Sequence, residues 1–336
     1  ALAIAISYSP ASLAYAYKGC HKIAHKLLVL ILLPPLFTKA STRQLALNSF
    51  VISICIIVFL QDLHILQWID LIAITHKKSL LHIINPIPFS VWVAFAAFIC
   101  CHRLYAQQQK NYAWIFNAGF LTMLFHFTLF MPKRTGLLST LALALLFIHQ
   151  RLNIRFIHRY IIFLLSIIII AIGIAHPLQQ QLLLFFTDII DFFAGQVNTS
   201  IGLRMSFILY SVHFILAAPW IGHGTGSFMT LYAAAGGPQL NDGSNALLGD
   251  PHNTYLHLAV QLGIVGLCLF IAWLKSLWQS FRTVTTQERW LLQGLWLCFT
   301  VSCFCIDGLF RSHMGMMFVI LMAIMLGARL ENEQQR

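Results

Sequence analysis

Arg134, Arg204, His252 and Arg311 are the residues whose types and surroundings could do chemistry in this chain. Each stands beside an apolar run, where an ionisable group is expensive to keep and is a functional candidate for that reason. Guanidinium forks match the paired oxygens of a diphosphate. A neutral imidazole is the usual proton acceptor near pH 7. His252 opens Pro251-His252-Asn253-Thr254-Tyr255-Leu256-His257, just before a long apolar run. A helix N-terminus there would disfavour the imidazolium and keep the ring neutral. Asn253, Tyr255 and His313, with His223, are candidates for supporting positions, whereas His257 should face another way.

Simpler accounts stand beside each of these. Arg134, in Met131-Pro132-Lys133-Arg134-Thr135-Gly136, could be an interfacial arginine whose stem lies along lipid. Arg204 could form a salt bridge with Asp188 or Asp191. Arg311 follows Asp307 by four residues, the spacing of an intrahelical ion pair. A lone histidine such as His252 is more often structural than catalytic.

The elements that must position these groups follow from composition. Of 336 residues, 59% are apolar and 9% charged, against about a quarter charged in soluble domains. Apolar runs long enough to cross a bilayer recur along the chain. Helices satisfy their own backbone in lipid, so the expected fold is an all-α, polytopic transmembrane helical bundle. The net charge of +11 is spread through short loops with no basic-aromatic motif, which argues against nucleic acid. The eight cysteines lie mostly inside apolar segments without zinc or disulfide spacing, as small buried hydrophobes do. No nucleophile elbow, P-loop or His-Glu-x-x-His helix is present. Ten carboxylates, none between Asp70 and Asp188, leave little to hold a metal, so no metal and no cofactor is expected. Arginines would have to take the metal's place.

Expected spans are Leu45 to Leu60, Ile87 to Cys101, Ala113 to Met131, Gly136 to His149, Tyr160 to Ala175, Thr254 to Leu274, Trp290 to Ile306 and Met314 to Gly327. Ala1 to Tyr17 and Leu27 to Phe37 are harder to place, because Pro34 and Pro35 interrupt the second. Cytoplasmic loops carry the excess of Lys and Arg. The loops at 101–112, 150–159 and 275–289 and the tail after Gly327 hold ten; the opposite loops hold six. Lys18, Lys22, Lys26, Lys39 and Arg43 fit no simple alternation. This count puts Arg134, Arg204, His252 and Arg311 on one non-cytoplasmic side. The chain divides into N-terminal transmembrane helices (1–175), a periplasmic helical and loop region (176–252) and C-terminal transmembrane helices (253–336). Within the loop, Gln179 to Phe193 should form a surface-lying helix, and the stretch from Gly236 to Asn245 a turn-rich loop.

Four segments taken together resemble the O-antigen ligase and polymerase superfamily. They are Lys133 to Gly136, Ser-Ile-Gly-x-Arg at Ser200 to Arg204, Gly-x-Gly-x-Gly-Ser-Phe at Gly222 to Phe228, and Pro-His-Asn-x-Tyr-Leu at Pro251 to Leu256. The resemblance covers roughly residues 113 to 327. It implies a GT-C-like, metal-independent, inverting glycosyltransferase of the bacterial inner membrane with its active site facing the periplasm. The implied donor is an undecaprenyl-diphosphate-linked glycan and the implied acceptor the lipid A core. The family's essential arginines correspond to Arg134 and Arg204 and its essential histidine to His252, while Arg311 matches a recurrent Arg-Ser. The usual first helices are missing, and the chain, which starts at Ala1, is expected to be trimmed. An O-antigen polymerase, a protein O-oligosaccharyltransferase and a lipid-linked oligosaccharide flippase are the competing readings. A flippase would carry its charges along a midplane pathway in repeated halves.

Overall fold

The computed structural model describes residues 1–65, 86–106, 119, 134–151, 176–197, 199–238, 250–310 and 312–334. Among these residues the chain is helical and has no strand. The helices are α1 (Leu13–Leu32), α2 (Ala40–Ile65), α3 (Pro86–Ala106), α4 (Arg134–Arg151), α5 (His176–Phe193), α6 (Ser200–Ala217), α7 (Ser227–Ala234), α8 (Thr254–Ser280), α9 (Thr286–Ser302) and α10 (Ser312–Gln334). Five of the described helices are long and apolar enough to cross a membrane, as expected of a polytopic helical membrane protein. The expected spans Ala113 to Met131 and Tyr160 to Ala175 lie outside the described residues, as does most of the expected loop from Gly236 to Asn245. The expected surface helix is α5. The spans expected at Gly136 to His149 and Trp290 to Ile306 fall on α4 and α9, which are not among those five; α9 begins and ends four residues earlier than expected. Pro34 and Pro35 end α1 at Leu32 and open a short 3-10 turn, Pro34–Phe37.

The described chain falls into two compact units. One comprises Leu33–Gln179, Thr283–Ser302 and Leu321–Arg336. In it α3, α4 and α9 pack closely through small residues: a Cβ on Gly136 would sit 2.5 Å from the Ser90 side chain, and one on Gly294 would sit 2.3 Å from the Phe98 ring. The polar contacts collect at one end. Buried Arg43 donates through Nε to Glu288 (2.8 Å) and through a terminal nitrogen to Glu331 (2.7 Å). It also donates to the carbonyls of Phe37 and Thr38. The Arg151 guanidinium stacks 4.2 Å from the Trp290 ring and reaches His102, while Gln150 donates to Gln293 (2.9 Å). The start of α2, the ends of α3, α4 and α10 and the start of α9 therefore gather together. These include the ends that the charge count assigns to a common side. Residue 43 joins them, which gives Arg43 a place that sequence alternation did not. Arg134 opens α4 at its other end, two residues before Gly136, which lies against Ser90.

The other unit comprises Ala1–Leu32, Gln180–Arg282 and Cys303–Ile320. Its centre is aromatic: Phe207 and Phe214 of α6, Phe228 and Tyr232 of α7, with Leu203 and Val260. Here α8 is broken at Gly263, whose φ of 63° and ψ of −161° leave the helical region. Backbone groups freed inside a membrane helix need internal partners, and the segment before α7 supplies them. His223 and Gly224 donate to the carbonyls of Val260 and Gln261 (both 2.9 Å), and Ile264 donates to Pro219 (2.8 Å). The backbones approach so closely that a Cβ on Gly222 would meet Gln261 at 2.5 Å, and one on Gly263 would meet Trp220 at 2.3 Å. Below the break, exposed apolar side chains begin with Ile264 and Val265. The stretch from there to Thr283 has the roughly twenty residues a crossing requires. Residues 254–262 are left above it, carrying His252 on their outer end. The region expected as a periplasmic loop is itself more apolar than a soluble segment: α6 exposes Ile208, Leu209, Val212 and Leu216, and Trp220 follows.

Gly263→Ala should destabilise the protein by about 3 kcal/mol or more, since strain at positive φ adds to a displaced backbone. Unfolding in detergent followed by tryptophan fluorescence checks this; a variant as stable as the parent would mean the break is not held by that contact.

Candidate active site

His252 sits in the turn before α8 with φ of 52°, the left-handed region, among the described residues the one non-glycine to do so. Asp250 holds it there twice. Its Oδ1 accepts the His252 backbone N–H at 2.9 Å and lies 2.9 Å from the ring Nδ1. That contact fixes Nδ1 as the protonated nitrogen in the neutral ring and leaves Nε2 as the acceptor. Asn253 caps α8 by accepting the Leu256 N–H (3.0 Å) and donates to the Phe304 carbonyl (3.2 Å). His252 keeps a quarter of its side chain exposed, so a ligand can reach it.

The Arg204 side of the site is built by α6. Thr199 caps this helix through Gly202 N–H at 3.0 Å. Gly202 is required because a Cβ would lie 2.7 Å from the Val197 carbonyl. Arg204 therefore falls in the opening turns, where the partial positive charge of the helix adds to its own for an anion. Phe207, one turn on, has its ring 5.7 Å from that of His252. The fold thus brings the opening turns of α6 against the turn that carries His252, within one unit. A cavity of ≈ 360 Å³ opens at this start of α6, lined by Gly195, Gln196, Val197, Thr199 and Pro238.

Beneath His252 lies a second acid. Asp307 has no exposed surface, and its Oδ2 lies against Nδ1 of buried His257. Thr254, the first residue of α8, is gripped by the same turn: its N–H donates to Cys303, its hydroxyl to Ile306, and it accepts from Gly308 N–H. Asp307 precedes α10 and faces α8; its expected ion pair with Arg311 lies outside the described residues. Lys26 of α1 is buried beside this turn and donates to the Leu309 carbonyl.

The other candidates have plainer surroundings. Tyr255 lies between Phe304 (4.4 Å, tilted) and Phe270 (5.7 Å, edge-on), so it packs the start of α8. His313 is exposed on the first turn of α10. Arg134 is the first residue of α4 and belongs to the other unit. Arg311 lies outside the described residues. His223 is near the Phe214 carbonyl (2.8 Å), and the glycine motif around it is scaffold, with Gly226 N–H donating to the Gln261 side chain (2.9 Å). The Tyr232 hydroxyl, pushed up to about 12 by burial and then by Tyr210, stays protonated near neutral pH and donates to Pro238. It is no rival to His252 as a base. Asp250, Gln261 and the contact of Asp307 with His257 were not found by sequence reasoning; the scarcity of acids in the chain was the one available signal for the two carboxylates. Among the described residues no three His, Cys, Asp or Glu side chains are grouped so that they could hold a metal ion.

The fold is that of a multi-pass helical membrane protein with a histidine and an arginine-bearing helix start drawn together in one unit. A family model described as O-antigen ligase matches residues 118–271, just under half of the chain, which supports membership of the O-antigen ligase superfamily. The match takes in Arg134, Arg204 and His252 and stops short of Arg311. No curated protein matches the chain.

The left-handed conformation of residue 252 predicts that His252→Gly is more stable than His252→Ala by about 1 kcal/mol, the cost of a Cβ in that region. Equal melting temperatures for the two would mean the turn relaxes when the histidine is lost.

Proposed function

We propose that this chain is an O-antigen ligase that transfers glycan from undecaprenyl diphosphate to the lipid A core at the periplasmic face of the inner membrane. The observation that carries the reading is the contact of Phe207, one turn after Arg204, with a His252 already oriented by Asp250. In this reading Nε2 of His252 takes the proton of the attacking acceptor hydroxyl. That oxygen forms its bond to the anomeric carbon as the bond from carbon to diphosphate oxygen breaks, and the electron pair leaves with the diphosphate. Arg204, with Arg134 and Arg311 as proposed partners, binds the diphosphate and stabilises the charge it gains. Attack opposite the leaving group inverts the anomeric centre. Asp250 acts through the histidine, holding its tautomer and stabilising the imidazolium that forms. Asn253 and Tyr255 hold the helix start, and His313 stands as a supporting residue.

The family also holds polymerases, which share the donor. The ligase reading is favoured by the histidine helix start and by the single loop region between Ala175 and His252. The charged candidates lie at helix ends instead of along a midplane pathway, which disfavours a flippase.

Reconstitution of the purified protein with lipid-linked glycan and lipid A core tests the proposal. Transfer should proceed with and without chelator. Arg204→Ala and His252→Ala should each lower kcat by roughly 10²–10³, the loss seen when one charge-stabilising group is removed from such a site. Arg204→Lys should recover little, because a point charge does not replace a fork. Unchanged transfer in these variants at normal expression would end the assignment, and product built on a second carrier lipid instead of on core would favour the polymerase.

A further inference from the structure

A diphosphate held at Arg204 and His252 brings an isoprenoid chain with it, and that chain must pass from the site into hydrocarbon. Two apolar clefts in the unit that holds His252 could take it. One, of ≈ 290 Å³, opens in the angle of the broken α8 and has a wholly apolar lining. Tyr255 and Leu256 line it before the break at Gly263, and Ile264 and Leu267 line it after the break. Ile215 and Trp220 close it from the side of α6. The other cleft, of ≈ 380 Å³, lies between α1 and α8, with Ala24 and Leu27 facing Leu258 and Trp273.

Only the first cleft is tied to the candidate site, and it is tied from both helices. On α8 its wall begins three residues after His252, at Tyr255, and continues past the break into the crossing segment, where Ile264 is exposed. On α6, Arg204, Ile208 and Ile215 follow one another at spacings of four and seven residues, which keep them on one stripe of a helix. Ile208, between the arginine and the cleft, is exposed. An apolar path about 16 Å long therefore runs along α6 from Arg204 to Ile215, at the rise of a helix. The foot of the path is held in place, because Ile264 and Val265 donate to the carbonyls of Pro219 and Trp220. No residue of α6 lines the cleft beside α1.

We infer that the cleft between α6 and the broken α8 holds the isoprene units next to the diphosphate of the lipid-linked donor. The inference rests on the ligase reading for the identity of that lipid. A guanidinium fork at the head of the stripe suits a diphosphate, and the apolar path that leaves it suits the chain attached to that diphosphate. The cleft is small, so it takes the first units, and the rest of the chain passes Leu267 into the bilayer. A donor gripped at the diphosphate and again a few units along its chain presents its anomeric carbon to His252 in a fixed direction, which is how binding at a distance from the reacting bond contributes to rate. Closing the room of about two methylene groups should weaken the grip on the chain roughly tenfold.

Labelling and transfer test this separately. In the purified full chain, undecaprenyl diphosphate with a diazirine on the isoprene unit next to the diphosphate should, on irradiation, label residues 215–220 and 255–267 and none of α1. Unlabelled undecaprenyl diphosphate should compete, and an excess of phosphatidylglycerol should not. Label on α1 would move the chain to the other cleft, and equal competition by phosphatidylglycerol would make the cleft a general lipid surface; either result overturns the inference. In the transfer assay, Leu267→Trp and Ile215→Trp narrow the cleft from two different helices. The donor KM for a dimethylallyl-linked glycan, divided by that for an undecaprenyl-linked one, should fall roughly tenfold in each. A ratio equal to the parent's in both variants would also overturn the inference, because damage to the fold lowers transfer from both donors alike. Labelling of the cleft in a protein that transfers no glycan would sink the ligase reading and leave the chain site standing.

Discussion

A carboxylate with no solvent exposure inside a helical membrane protein must be met by donors, and Asp307 is met from several elements. His257 and Thr254 reach it from α8, and Phe310 N–H from its own turn. Lys26 of α1 is buried within reach of its charge. Leaving such a charge without partners would cost several kcal/mol, so these elements are tied to one arrangement. Thr254 follows His252 by two residues, and the turn that holds Thr254 leads directly into Arg311. The geometry of the proposed chemistry therefore depends on a group that takes no part in it.

The second constraint is the interruption of α8. A straight helix from Thr254 would carry His252 only as far as its own axis allowed. The break at Gly263 separates a crossing segment from an upper segment, and the upper one is free to take its direction from α6, α7 and the Asp307 turn. Glycines at 222 and 263 let main chain lie on main chain, and the Gln261 side chain closes the joint on Gly226. The aromatic cluster of α6 and α7 then supports the His252 ring from below.

The helices were legible because a crossing segment needs a long apolar run, and nothing else in the chain supplies one. Arg204 and His252 were legible as charged or titratable residues at helix starts, and their caps, Thr199 and Asn253, are of the residue types such starts require. The break in α8 was not, since a single glycine in an apolar run leaves no periodicity signal. Asp307 and His257 stand 50 residues apart, and no local pattern pairs them. Asp250 is two residues from His252, but only the left-handed turn makes that a contact. The lysines of α1 could not be sorted by alternation along the chain, because their helix packs beside the site for part of its length before entering the apolar layer.

The glycine segment is also tied to residues far away in the chain. Tyr8 donates to the Ile221 carbonyl across 213 positions, Ser9 donates to Thr225, and Thr225 donates to Leu2 and Ala5. At ordinary synthesis rates these partners emerge roughly 10 to 40 s apart. The N-terminal segment must wait, unpaired, while several helices are inserted after it. The upper part of α8 emerges after both partners, so it closes onto the glycine segment last and maturation of the site is timed by its arrival.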